Sequence, residues 1–97
     1  MFLKELIQLD SVVLVTFKIK GIPIPIKIAS TTEPSREQIL KKISDLAKGY
    51  DLSGEIQFKK LLKENGHKMY IYEIGDRKCM VLVERLEKIR EFEEIGS

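Results

Sequence analysis

Asp10–Ser30 reads DSVVLVTFKIKGIPIPIKIAS. It predicts two strands folded back on each other at Lys20-Gly21. The first, Val12–Phe17, is an unbroken apolar run, as expected of a strand covered on both faces. The second alternates strictly, with Ile22, Ile24, Ile26 and Ile28 on one face and Pro23, Pro25, Lys27 and Ala29 on the other. Side chains alternate with period two, so the isoleucines form one inward stripe. Pro23 and Pro25 lack an N–H on the same side of the strand, which predicts a sheet edge blunted against further pairing.

Working outward, Met1–Leu9 carries Phe2, Leu3, Leu6 and Ile7 at helical spacing and predicts a short amphipathic helix. Downstream, Ser35 and Gln38 have capping-box spacing, with Glu37 suited to the first turn. The helix is expected over 36–48, stopping at Gly49 as the residue past its end. Ile39, Ile43, Leu46 and Tyr50 fall on one stripe, flanked by Leu40 and Ala47.

Residues 53–64 support two readings. Ser53 could cap a helix with Phe58, Leu61 and Leu62 inward, or Ile56, Phe58, Lys60 and Leu62 could alternate as a strand. The strand is preferred because Asn65-Gly66, a hairpin signal, follows it. Polar Glu64, His67 and Lys68 predict a loop longer than two residues. Lys68–Ile74 alternates, with Met69 and Ile71 on one face and Tyr70, Tyr72 and Ile74 on the other. Gly75-Asp76-Arg77 predicts a turn, and Cys79–Val83 a second central strand. From Glu84 the period becomes helical, with Leu86, Ile89, Phe92 and Ile95 inward and i,i+4 pairs Glu84–Lys88 and Arg90–Glu94.

The order is α-β-β-α-β-β-β-α in one α+β domain over residues 1–97, with helices on both faces of the sheet. Apolar residues are 43% and charged residues 33%, a globular composition, and the net charge of +2 does not point to nucleic acid. The single cysteine, Cys79, fits a reducing, cytoplasmic compartment and a buried core position. No apolar run approaches the roughly 20 residues that span a bilayer, so no membrane insertion is expected. Many Lys, Glu and Ile with few amides suggest a heat-adapted source.

No catalytic, cofactor or metal constellation emerges. His67 is the one histidine and belongs to a turn, so zinc-ligand spacing is lacking and a dyad with Cys79 joins a loop to a core strand. No phosphate-binding glycine loop occurs. Lys59, Lys60, Lys63 and Lys68 cluster about Asn65-Gly66, with Lys41, Lys42 and Lys48 on the preceding helix. That cluster allows a second reading, a small basic nucleic-acid-binding or regulatory protein. A solvated lysine-rich hairpin explains it more simply, and no aromatics are interleaved for base stacking.

Several of these stretches together resemble the Roadblock (dynein light-chain) superfamily over nearly the whole chain. LKELIQLDSV (Leu3–Val12) is similar to that family's opening helix and first strand, KGIPI (Lys20–Ile24) to its first turn, and KMYIYEIGDRKCMVLV (Lys68–Val83) to its last hairpin. Lys20 stands where the family's turn is usually acidic. The resemblance implies a five-stranded antiparallel sheet of order 2-1-5-4-3, with the strand over 55–62 at an open edge. It also implies a non-enzymatic scaffold, a homodimer or a pair with a sister subunit, that binds a small Ras-like GTPase or related partner. The implied dimer interface is Ile56, Phe58, Lys60 and Leu62 on that strand, with Leu40, Ser44 and Ala47 on the helix.

Overall fold

The structure is a computed structural model, and it describes residues 12–86. Its elements are β1 (Val12–Ile19), β2 (Ile26–Ser30), α1 (Arg36–Gly49), β3 (Ile56–Glu64), β4 (His67–Ile74) and β5 (Arg77–Leu86). The strands form one five-stranded sheet in the order β2-β1-β5-β4-β3, antiparallel at every joint. β1 and β5 are therefore central, and β2 and β3 are the edges.

The expected helices on both faces do not hold. Among the described residues there is one helix, α1, and it lies on one face. The amphipathic segment 1–9 lies outside the described residues. The helix expected to start at Glu84 is overturned there, because β5 continues through Glu84, Arg85 and Leu86; its remainder, 87–97, is also outside. Val12 pairs with Leu86 and Leu14 with Glu84, so β1 supplies backbone partners that keep residues 84–86 extended. On the face away from α1, no described helix is present; Thr16 opposes Leu82 and Ile71 opposes Met80, cross-strand neighbours on that face. Leu14, Met80 and Leu82 are half-buried.

The covered face holds the core. Val13, Val15, Phe17 and Ile19 of β1, Tyr70, Tyr72 and Ile74 of β4, and Cys79, Val81 and Val83 of β5 pack against Ile39, Ile43 and Ala47 of α1. Each strand sends alternate residues to this face. Full burial of Ile43 contributes about 1.5–3 kcal/mol relative to exposure.

Local chemistry sets the ends of α1. The Gln38 amide donates to Ser35 Oγ at 3.1 Å, and the Ser35 amide donates to Gln38 Oε1 at 2.8 Å, a reciprocal capping box. The C-terminus differs from expectation. Gly49 is the last helical residue, and the left-handed position falls two residues later, at Asp51 with φ 58°. The Leu52 amide donates to the Ala47 carbonyl at 2.7 Å and the Asp51 amide to the Lys48 carbonyl at 3.2 Å. This is a Schellman closure, with Leu52 folded onto the core. It also leaves Tyr50 exposed, off the inward stripe.

The turns also depart in detail. Residues 20–25 form the β1–β2 connection, so Pro23 and Pro25 precede β2, and Ile24 is 70% exposed. Ile22, Ile26 and Ile28 keep their inward positions against the core. The β3–β4 connection is a two-residue turn, with Asn65 at φ 50° and Gly66 at φ 81° between the paired Glu64 and His67. At the same end of the sheet, Glu33 before α1 accepts from Lys68 of β4 and from Arg85 of β5, the latter at 3.4 Å. Lys68 and Arg85 hold the Glu33 carboxyl below its ordinary pKa, the Lys68 hydrogen bond being the main cause.

Candidate functional site

Among the described residues, β3 is bound on one side only, by β4, and its outer backbone has no strand partner there. Two turns of chemistry bring it there. The Asn65-Gly66 turn fixes its C-terminal half against β4, with Leu62 opposite Met69 and Lys60 opposite Ile71. A β-bulge then intervenes between Phe58 and Lys60, and Phe58 stands opposite Tyr72. Strict counting back from the turn would set Phe58 opposite Glu73 on the other face.

The bulge divides the strand. Phe58 joins Tyr72 on the helix-covered face, and Leu61, opposite Tyr70, packs against the core there. Lys60 and Leu62 lie on the other face. The i,i+3 spacing of Phe58 and Leu61, which made a helix conceivable, is the signature of this extra residue in a strand. Lys59, at the bulge, is ion-paired with Glu73 at 3.5 Å.

Phe58 is held in place from two sides. Its ring meets Tyr72 edge-on, with centroids 5.4 Å apart and planes at 69°. The Arg36 guanidinium lies over its face, 4.0 Å from the centroid. Burial raises the pKa of the Tyr72 hydroxyl, and Arg36 partly offsets this. Arg36 and Leu40 are one helical turn apart, and with Ile56, Phe58 and Tyr72 they line a cleft of about 390 Å³ between α1 and β3. Phe58 is 37% exposed and Leu40 43%.

Of the interface residues implied by the family resemblance, Leu40, Ile56 and Phe58 therefore meet in one cleft. Ser44 follows Leu40 by four residues along α1 and is half-buried. Ala47 points into the core, 6% exposed, and is not available to a partner of the folded chain. Lys60 and Leu62 belong to the opposite face, where Leu62 is 48% exposed. Sequence reasoning missed Arg36 and Tyr72. The i,i+4 spacing of Arg36 and Leu40 was a usable signal for the first; the second depends on the bulge.

The basic hairpin is less concentrated than its sequence suggests. Lys59 is paired with Glu73 and Lys68 with Glu33, while Lys60 and Lys63 oppose Ile71 and Lys68 on different faces. The reactive groups are equally separated. Cys79 is fully buried on the covered face, opposite Tyr72, and burial pushes its thiol up to about 12. His67 lies at the other end of β4, beside the Asn65-Gly66 turn. Among the described residues, no group of three or more His, Cys, Asp or Glu could hold a metal ion. Nor is any described helix long and apolar enough to cross a membrane.

Compared with known proteins, the chain matches no family model, no curated protein and no solved structure.

Proposed function

We propose that this chain is a non-enzymatic interaction module of the cytoplasm. It pairs with a second copy, or with a sister subunit of like fold, through the β3 edge and the adjoining flank of α1. The joined surface then docks a small Ras-like GTPase or a related partner.

One observation carries the pairing: the open cleft of Leu40, Ile56 and Phe58 beside a strand edge that is unpaired among the described residues. An exposed aromatic stacked under an arginine is the kind of anchor that dominates protein interfaces. A two-fold partner brings the same patch against itself, so every contact counts twice. Beyond the bulge, residues 60–64 are regular enough to accept antiparallel backbone bonds. The buried, high-pKa Cys79 and its distance along the ladder from His67 favour a binding role over nucleophilic chemistry. The GTPase class of partner rests on the resemblance to Roadblock domains alone.

Light scattering of the intact chain tests the pairing. A dimer is expected at micromolar concentration, converted to monomer by Phe58→Asp. A monomeric wild-type chain overturns it. Capture of GTPases from extract, with and without a GTP analogue, tests the partner separately. Recovery of none overturns the GTPase assignment and leaves the pairing standing.

A further inference from the structure

A second feature lies at the other side of the molecule, where β1 turns into β2. On the face away from α1, Lys18, Lys20 and Lys78 line an open cleft of about 270 Å³ together with Pro23, Pro25 and Met80. All three lysines are exposed. Register brings them together: Lys18 stands opposite Met80, and the Lys20 amide donates to the Lys78 carbonyl at 3.0 Å. Lys27, opposite Thr16, adds a fourth exposed ammonium from β2 on the same face. The carboxylate opposite Lys78, Glu73, is ion-paired with Lys59. Among the described residues, none of the four lysines is in a salt bridge.

The loop beside these cations ends in an apolar tip. Ile24, between Pro23 and Pro25, is 70% exposed, more than any other large hydrophobic residue among those described. Two prolines within three residues also leave this tip short of backbone N–H donors, which lowers the cost of taking it out of water. A nucleic acid or acidic peptide would reward the charge and leave Ile24 in water; no aromatic side chain is present here for base stacking. A bilayer surface rewards both features, because an apolar side chain enters the headgroup boundary while lysines meet anionic lipids.

We infer that this end of the sheet binds the surface of an anionic bilayer. Ile24 enters the headgroup region, and Lys18, Lys20, Lys27 and Lys78 contact lipid phosphates and carboxylates. The association is peripheral, reversible and weakened by salt. It does not use the β3 edge, so it stands apart from the pairing proposed above.

Co-sedimentation of the intact chain with phosphatidylcholine vesicles, alone or enriched in phosphatidylserine, tests it. Partition into the anionic vesicles at low salt is expected, with little into the neutral ones. The double variant K18E/K78E lowers that partition by at least about 30-fold, the loss of two lysine contributions near a charged surface, before repulsion of the new carboxylates is added. Ile24→Ser lowers it several-fold without changing net charge. K41E/K48E, an equal charge change on α1, lowers it far less, and circular dichroism of each variant checks folding. Absence of binding to anionic vesicles overturns the inference. So do equal losses in the two double variants, or binding to soluble heparin without binding to vesicles.

Discussion

Phe58 and Lys60 stand on opposite faces of the sheet although only Lys59 separates them: Phe58 faces Tyr72, and Lys60 faces Ile71. A regular strand would keep them on one face. The extra residue delivers Phe58 to the cleft beneath Arg36, and it kinks the open edge. Phe58→Asp and Ile56→Asp are expected to convert a dimer to monomer in light scattering. Leu62→Asp, on the other face, should weaken pairing much less.

Deletion of Lys59 removes the bulge and lets Phe58 and Lys60 follow each other in a continuous ladder to β4. The Lys59–Glu73 ion pair is lost, but it is exposed and contributes little. A straighter edge is a better template for another strand. The deletion variant should therefore stay folded and associate at lower concentration, measured by the concentration dependence of its mass. Weaker association would mean that the kink itself shapes the interface.

Glu33 ties the segment before α1 to β4 and β5 through Lys68 and Arg85. Its folded pKa lies below the ordinary 4.5, chiefly through the Lys68 hydrogen bond. The stabilisation is present above 4.5 and is lost as pH falls through the lower, folded value. Lys68 is shifted upward by the same partner, so its share is present below 10.5 and lost as pH rises through the folded value. Melting temperature across acidic pH should fall less steeply for Glu33→Gln than for the wild type. Parallel profiles would show that this ion cluster does not act on stability.

Cys79 is sealed beneath α1, and burial pushes its thiol from 9.0 to about 12. Its neutral form favours folding at neutral pH, and that contribution declines as pH rises from 9.0 towards 12. A thiol reagent should leave the native chain unmodified at pH 8 and react across the urea unfolding transition. Fast labelling without denaturant would mean that the sheet opens locally.

Gly54 lies against Gly75 at φ +127°, where an added Cβ would come within 2.7 Å of the Gly75 nitrogen. Gly54→Ala should cost about 1–3 kcal/mol or more, from backbone strain together with the clash. Gly49→Ala meets no atom within 4 Å in the last helical turn. It should stabilise by roughly 0.5–1 kcal/mol. Urea denaturation of the two variants gives both signs.

How far the chain could be read varies with the range of the forces involved. Ser35 with Gln38, and Asn65 with Gly66, announce a cap and a turn through chemistry confined to three or four residues. The inward positions of Ile39, Ile43, Tyr70 and Tyr72 follow from one side of one element meeting the core. Tyr50 deceived, because α1 ends at Gly49 and the closure that follows carries Tyr50 off the inward stripe. Ile24 deceived because alternation begins to mean a strand only where a neighbouring strand is within reach.

The sequence by itself determined the core of β1, β4 and the first part of β5, the place of α1 and most of the side chains that face it, since periodicity and turn chemistry are local. Tertiary structure alone decided that β5 runs on to Leu86, that Lys59 forms a bulge, and that Arg36, Phe58 and Tyr72 meet. Each of these depends on which backbone lies alongside. Residues 84–86 stay extended because β1 supplies their hydrogen bonds, and Phe58 turns inward because the ladder to β4 slips by one residue. Pairing energies of that kind belong to two segments jointly, and neither segment carries them alone.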